Sequence, residues 1–394
     1  MRPQDPFIGR DILNGSFRIL QKIGSGGMGA VYKAMELQNS RMVGVKILHP
    51  KLANRKDLVS RFGREARALS QLSHPNTVRV FLYGELEDGA LYIIMELLEG
   101  KNLNQTVRSE GPFPVARALP ILIQACGALD EAHKAGIIHR DLKPENIFLV
   151  QSGALRDFPK LLDFGLAKVG ERQMRPGSVI LTQEGMVFGT PEFMSPEQAQ
   201  GKPLAPSSDV YSLAVILYEV LTGKLPFDAK SAMDHIQMHV TAKPIPLNQR
   251  VVGMTFPPLL EQVMDRALAK REEDRFASAA DFAVAMQAVL RGATALPAEA
   301  FASSPQPPSM APMATPQAPA PAAYAPVPPS GPAALSAPVG QRMLTPNSHG
   351  RAALANSPGD ARKVNVALLV TVGVGFLLLG VGLAVTLMKL FTGR

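Results

Sequence analysis

One short run, residues 137–146, constrains this chain more than any other. Behind two apolar residues, Ile137 and Ile138, come an imidazole (His139), a guanidinium (Arg140), two carboxylates (Asp141 and Glu145), an ammonium (Lys143) and an amide (Asn146). Burying such groups is costly unless each meets a partner, so the run makes little sense as packing. It suits a loop that holds a hydroxyl, a phosphate and a metal ion together. A second acidic position, Asp163, follows in Asp163-Phe164-Gly165, after the strand-like residues 159–162. Any fold for this chain has to account for Asp141 and Asp163, whether as an acid/base pair or in separate roles.

The chain has 394 residues, too many for one ordinary core, and its composition divides it. Residues 12–291 mix charge with apolar periodicity and read as a folded region. From 292 a Pro/Ala/Ser tract takes over, and between 293 and 361 the only charged residues are Glu299, Arg342, Arg351 and Asp360. Too little bulky apolar surface remains there to offset chain entropy, so a disordered, polyproline-biased linker is expected over 292–363. Residues 366–388 carry no charge and are rich in Val, Leu, Gly, Ala and Phe. As a helix they reach about 34 Å, enough for a bilayer core of roughly 30 Å, which predicts one transmembrane helix over 364–388. Residues 1–11 and 389–394 read as short tails. Gly380 and Ala384 have the small-xxx-small spacing that permits helix pairing, and so a homodimer.

Other features exclude function classes. One cysteine, Cys126, rules out an intrachain disulfide and fits a reducing compartment. The seven histidines show no metal-ligand spacing with cysteines or carboxylates, so no structural zinc is expected. The formal charge of +8 has no basic run interleaved with aromatics, which argues against nucleic acid as a partner. A basic protein held beside an anionic membrane is the simpler reading. The first residues lack the apolar stretch of a signal peptide.

Within 12–291 the pattern changes along the chain. Residues 17–23, 30–35, 41–48, 78–83 and 91–95 read as strands. Residues 57–72 read as an amphipathic helix with Phe62, Ala66, Leu69 and Leu72 on one face. From Pro114 the pattern is helical: one helix to about Lys134 with Pro120 inside it, then helices near 208–222, 231–239, 259–269 and 279–290. A small β-rich lobe followed by a mainly helical one is expected. Gly24-x-Gly26-x-x-Gly29-x-Val31 lies between two strands, where backbone N–H groups can approach phosphates without side-chain hindrance. Lys46 stands in an apolar strand and needs an anion; Glu65, mid-helix, can supply one, and a nucleotide's α/β-phosphates can supply more.

The glycine loop, Val43-Gly44-Val45-Lys46, His139-Arg140-Asp141 with Asn146, Asp163-Phe164-Gly165 and Ser195-Pro196-Glu197 occur in the order found in protein kinases. The chain resembles the bacterial, eukaryotic-like, membrane-anchored serine/threonine kinases over roughly residues 12–291. That resemblance implies an α+β bilobal fold, with an N-lobe over 12–97 and a C-lobe over 98–291. It implies ATP and Mg²⁺ as cofactors and proteins as substrates. Asp141 would be the catalytic base, and Asn146 and Asp163 the metal ligands. Lys143 would lie near the γ-phosphate, while Lys46, with Glu65 as its partner, would serve the α/β-phosphates. The loop Gly24, Ser25, Gly26, Gly27, Met28, Gly29 and Ala30 would cover the phosphates. Ile23, Val31 and Phe148 would sandwich adenine, beside backbone groups of Glu96 and Leu98 and behind Met95. Gly44 departs from the usual alanine and leaves a gap over adenine. His139 would pack on Phe164.

The same resemblance extends to regulation. Arg140 beside Asp141 wants an anion, often a phosphate on the segment from 163 to 197; Thr182 is the first candidate and Ser178 the second. Glu184 stands where similar kinases often carry a second threonine, and would supply part of that charge. Lys143 and Thr190 resemble the serine/threonine class, with Thr190 hydrogen-bonding Asp141 and Lys143. Glu197 would pair with Arg275, and Asp209 would brace the loop. Use of cytosolic ATP implies a single-pass protein of the cell membrane with its N-terminal side in the cytoplasm. A pseudokinase scaffold is the alternative, and only Gly44 points to it.

Overall fold

The computed structural model describes residues 5–26, 29–48, 56–153, 155–164 and 190–301. The predicted linker beyond 301, the predicted transmembrane helix, Gly27, Met28, Gly165, Ser178, Thr182 and Glu184 lie outside them.

The first lobe is a six-stranded antiparallel sheet. Its strands are β1 (Asp11–Ile12), β2 (Phe17–Gly26), β3 (Gly29–Glu36), β4 (Arg41–Leu48), β5 (Val80–Glu85) and β6 (Leu91–Glu96), in the order β1-β2-β3-β4-β6-β5. Alternation gives the sheet two faces. Tyr92 and Ile94 join Val43, Val45, Ile47 and Tyr32 in one core, while Leu91 and Ile93 join the other. The second face is covered by α1 (Lys56–Ser70), whose Phe62, Ala66 and Leu69 are buried with Leu142, Leu161 and Phe164 of the second lobe. The i, i+4, i+7 spacing that predicts this helix therefore also names its contact face.

The second lobe opens with β7 (Gly100–Asn102), α2 (Leu103–Glu110) and α3 (Val115–Lys134). Asn102 caps α2 in a reciprocal capping box with Gln105. Helix α3 continues through Pro120, which gives up one backbone hydrogen bond of the ladder. Strand β8 (Ile147–Ser152) pairs with both β7 and β9 (Leu155–Leu161) in a three-stranded sheet beneath the cleft. Then follow α4 (Pro196–Ala199), α5 (Pro206–Thr222), α6 (Ala232–Thr241), α7 (Leu247–Arg250), α8 (Pro258–Ala267) and α9 (Ala279–Leu290). Helix α5 is hydrophobic around nearly its whole circumference and forms the axis of this lobe, buried from Ser207 to Thr222 except at Glu219.

Two expected boundaries move. Residues 5–11 are part of the first lobe, because Asp11–Ile12 pairs with β2 and Ile12 is buried. Residues 292–301 pack on the second lobe rather than opening a linker. Ala300 is buried in the main core, and the Arg266 guanidinium lies over the Phe301 ring (4.3 Å) and the Phe276 ring (5.2 Å). Ala300 and Phe301 bury apolar surface at the end of a stretch of mostly small residues, which composition averaged over the tract conceals.

Candidate active site

The polar loop is held from below. Asp209, near the start of α5, accepts from the His139 backbone N–H (2.8 Å, Oδ2) and the Arg140 N–H (3.0 Å, Oδ1), and its Oδ2 also meets His133 Nε2 at 2.7 Å. Burial works against the Asp209 charge, but the bond and charge of His133 hold its pKa below the ordinary value. His139 is fully buried, with Nε2 2.8 Å from the Leu162 carbonyl and its ring 4.6 Å from that of Phe164. Burial lowers its pKa. It shapes the loop and links it to the Asp163 strand end. Arg140 and Asp163 both adopt left-handed backbone, at φ 65° and 56°. Such strain persists only where surrounding contacts enforce it, and the Asp209 and His139 bonds do so here.

Above that base the loop presents its chemistry. Lys143 Nζ lies 3.0 Å from Asp141 Oδ2. Asn146 is buried and donates from Nδ2 to the Asp141 carbonyl (2.7 Å) and to Asp141 Oδ2 (3.3 Å).

Lys46 Nζ lies 2.6 Å from Asp163 Oδ1. This corrects the expected Lys46–Glu65 pair: both carboxylates belong to the site, and Lys46 takes the one at the strand end. Glu65 Oε1 instead stands 3.8 Å from the Arg140 guanidinium. Burial opposes the Asp163 charge, but Lys46 keeps the carboxyl below the usual range, so it is ionised. Two hard oxygen donors, Asp163 and Asn146, are the donor set a magnesium ion uses beside phosphate oxygens. Among the described residues no group of three or more His, Cys, Asp or Glu could hold a metal ion.

Thr190 lines a small cavity with Asp141, Phe193 and Gln198. The segment end is anchored. Arg275 donates in a fork to Glu197 Oε1 (2.8 Å) and Oε2 (2.9 Å), fully buried.

A family model described as "Protein kinase domain" matches residues 17–288. The chain belongs to the protein kinase family. It is 43% identical over 285 residues to Serine/threonine-protein kinase pkn3 of Myxococcus xanthus, covering 72% of this chain and 52% of that protein. It is 40% identical over 262 residues to Serine/threonine-protein kinase PknB of Mycobacterium leprae, covering 66% and 40%. The chain thus spans about half, or less, of the length of these curated relatives. Among solved structures, the kinase domain of PknI from M. tuberculosis aligns with a TM-score of 0.54 at 28% identity, over 72% of this chain and 98% of that one. The strand-rich first lobe and helical second lobe are those of the protein-kinase fold.

The kinase cleft lies between the two sheets. Gly44 pairs with Met95 at the back, and Phe148 stands on β8 below. Ile23 is half exposed on β2, and Val31 pairs with Lys46 across β3–β4. The Glu96 N–H donates to the Arg79 carbonyl (2.9 Å), and the Glu96 carbonyl oxygen lies 3.6 Å from where a Cβ on Gly44 would lie. The motif glycines differ in cause. A Cβ on Gly29 would lie 2.1 Å from the Ile47 carbonyl, whereas one on Gly26 would meet nothing within 4 Å.

Three contributors escape motif reading. His133 supports Asp209; it continues the buried stripe of Leu122, Cys126 and Leu129, which is the signal that places it inside. Gln198 donates to the Arg140 carbonyl at 2.7 Å, and Lys160 meets Glu96 Oε1 at 2.7 Å, tying β9 to the end of β6. Neither contact has a local sequence signal.

Proposed function

We propose that this chain is an ATP- and Mg²⁺-dependent protein kinase that transfers the γ-phosphoryl group to serine and threonine hydroxyls of proteins. The observation that carries this reading is the unit formed by Asp141, Lys143 and Asn146, with Lys143 Nζ 3.0 Å and Asn146 Nδ2 3.3 Å from Asp141 Oδ2. Phosphoryl transfer is mainly positioning and charge neutralisation. Asp141 accepts the hydroxyl hydrogen as the substrate oxygen bonds to the γ-phosphorus; the bond from that phosphorus to the β–γ bridging oxygen breaks, its electron pair leaving with ADP. Lys143 offsets charge on the transferred group. Magnesium, when bound, neutralises phosphate oxygens, and Asp163 and Asn146 are the residues that would hold it. Lys46 would serve the α/β-phosphates. Ile23, Val31 and Phe148 would flank adenine, with the Glu96 and Leu98 backbone at its edge. Gly24, Ser25, Gly26, Gly27, Met28, Gly29 and Ala30 would cover the phosphates.

The proposal extends to autophosphorylation at Thr182, with Ser178 second, as a signalling input, and to Arg140 as its reader. It also includes the uncharged run 366–388 as a single membrane span that keeps the kinase domain cytoplasmic, the span's small-residue spacing supporting a homodimer. Among the described residues no helix is long and apolar enough to cross a membrane; the span reading rests on the uncharged run itself. Incubating the full chain with ATP and Mg²⁺ and mapping phosphosites by mass spectrometry, beside Asp141→Asn, tests the activity. Phosphate on Thr182 in the unaltered protein alone is expected. No phosphate on either, or equal phosphate on both, overturns the reading. Partition of the chain between membrane and soluble fractions, with and without 364–388, tests the anchor.

A further inference from the structure

Residues 5–16 precede the stretch that the kinase family model matches, yet they are built into the hairpin that carries the glycine loop. The Gly9 N–H donates to the Ile19 carbonyl (2.9 Å), and the Ile19 N–H returns to the Arg10 carbonyl (3.0 Å). The Phe7 ring lies 5.7 Å from that of Tyr32. Asp5 is the focus. Its carboxylate accepts from the Phe7 N–H (3.1 Å), Lys22 Nζ (3.2 Å) and the Tyr32 hydroxyl (3.1 and 3.2 Å to its two oxygens).

Lys22 and Tyr32 are direct partners across β2 and β3. The ladder is irregular on both sides of that pair, with register shifts between Ile19 and Gln21 and between Lys22 and Gly24. Such bulges bend and twist a strand and leave backbone groups unpaired. The upper part of the hairpin, ending at the Gly26–Gly29 pair, therefore joins the sheet through a weakened step. Asp5 bridges both strands at that step. Val31, next to Tyr32, points to the opposite side of β3 from the Tyr32 ring, toward the cleft.

We infer that Asp5 is a positioning residue for nucleotide binding: by joining Lys22 to Tyr32 it sets the pitch of the glycine-rich hairpin, and of Val31, over the nucleotide. This rests on ATP being the phosphoryl donor. The Tyr32 contact carries most of the effect, because Tyr32 is 2% exposed whereas the Lys22 side chain is 38% exposed, and exposed ion pairs contribute little. Burial and the Asp5 bond push the Tyr32 pKa up to about 12, so the hydroxyl remains a donor. Burial opposes the Asp5 charge, but the Phe7 N–H, Lys22 and Tyr32 together hold its pKa below the ordinary value.

The test uses the full chain with Asp5→Ala, Tyr32→Phe, the double variant, and Arg10→Ala as a control on the same segment. Binding of a non-hydrolysable Mg·ATP analogue and steady-state rates are measured. Asp5→Ala and Tyr32→Phe are expected to raise KM for ATP and weaken analogue binding by about 3- to 10-fold, the effect of one lost hydrogen bond. KM for the protein substrate and kcat at saturating ATP are expected to hold, the double variant to match the single ones, and Arg10→Ala to match the unaltered chain. Unchanged analogue binding in both single variants overturns the inference, as does an equal rise in both KM values accompanied by lower melting temperatures. If the unaltered chain fails to bind the analogue, the kinase reading falls and takes this inference with it; if it binds but the variants bind equally well, only the inference falls.

Discussion

Lys46 Nζ is 2.6 Å from Asp163 Oδ1, while Glu65 lies 3.8 Å from the guanidinium of Arg140. Each of the four charges has a partner of opposite sign. With Arg140 as the proposed reader of an anion on the 163–197 segment, that anion is expected to compete with Glu65, freeing it for Lys46 and freeing Asp163 for a cation.

Arg140→Met is therefore expected to abolish the rate gain that phosphorylation of the 163–197 segment brings. Couplings of this kind are usually about 5- to 150-fold. Initial rates of phosphorylated and phosphatase-treated protein measure it, and a gain that survives in Arg140→Met contradicts the exchange. Glu65→Gln is expected to lower the rate of the phosphorylated form more than that of the dephosphorylated one.

Gly29 and Gly26 belong to one motif but answer to different constraints. Gly29→Ala puts a methyl group into the Ile47 carbonyl and is expected to cost about 1–3 kcal/mol of stability, as overpacking does. Gly26→Ala meets nothing nearby, so its unfolding midpoint in urea should stay near that of the unaltered protein while its KM for ATP rises. Equal loss of stability in the two variants would contradict the distinction.

A Cβ on Gly44 would lie 3.4 Å from Met95 Cγ and 3.6 Å from the Glu96 carbonyl, close but tolerable with a small shift of the Met95 side chain. Gly44→Ala is expected to tighten nucleotide binding by up to about 0.8 kcal/mol, the value of one buried methylene-sized group, or roughly fourfold. Calorimetric titration of a nucleotide analogue measures it. A weaker-binding Gly44→Ala variant would show that the glycine makes room rather than leaving a gap.

Acid should unfold this protein partly through Glu197 and Asp209. Burial works against the Glu197 charge and Arg275 overcomes it, so its folded pKa lies below 4.5; His133 does the same for Asp209 below 3.8. Groups whose folded pKa is depressed stabilise fully above their unfolded pKa and lose that contribution as pH falls through the folded value. Unfolding free energy is expected to be level in these groups above about pH 5 and to drop below it. Arg275→Met leaves Glu197 buried without its partner and should cost about 3–5 kcal/mol at pH 7 by urea titration. The Arg275→Met/Glu197→Leu double variant should be more stable than Arg275→Met alone.

Ending the chain after 291 removes Ala300 and Phe301 from the second lobe. A version ending after 301 is expected to melt above one ending after 291. Phe301→Ala in the full chain should lose about 0.5–2 kcal/mol through its contact with Arg266. Equal melting temperatures for the two truncations would show that the segment adds nothing.

The sequence by itself determined the β-rich then helical order of the two lobes and the helix face of Phe62, Ala66 and Leu69. These depend on local periodicity and on residue types at fixed spacing, which a linear chain carries completely. The packing of His139 on Phe164, the Asp209 brace and the Glu197–Arg275 fork were also legible, through resemblance to protein kinases. Partner choice was not. Lys46 had two carboxylates to choose from, one of them 117 positions away in Asp163, and the choice depends on how α1 lies against the strand end. The N-terminal clamp was hidden for a similar reason: Asp5 looks like any tail aspartate until the β2–β3 register brings Lys22 and Tyr32 side by side. Charge type is written residue by residue, but Coulomb and hydrogen-bond energies depend on distances, and only the tertiary structure sets those.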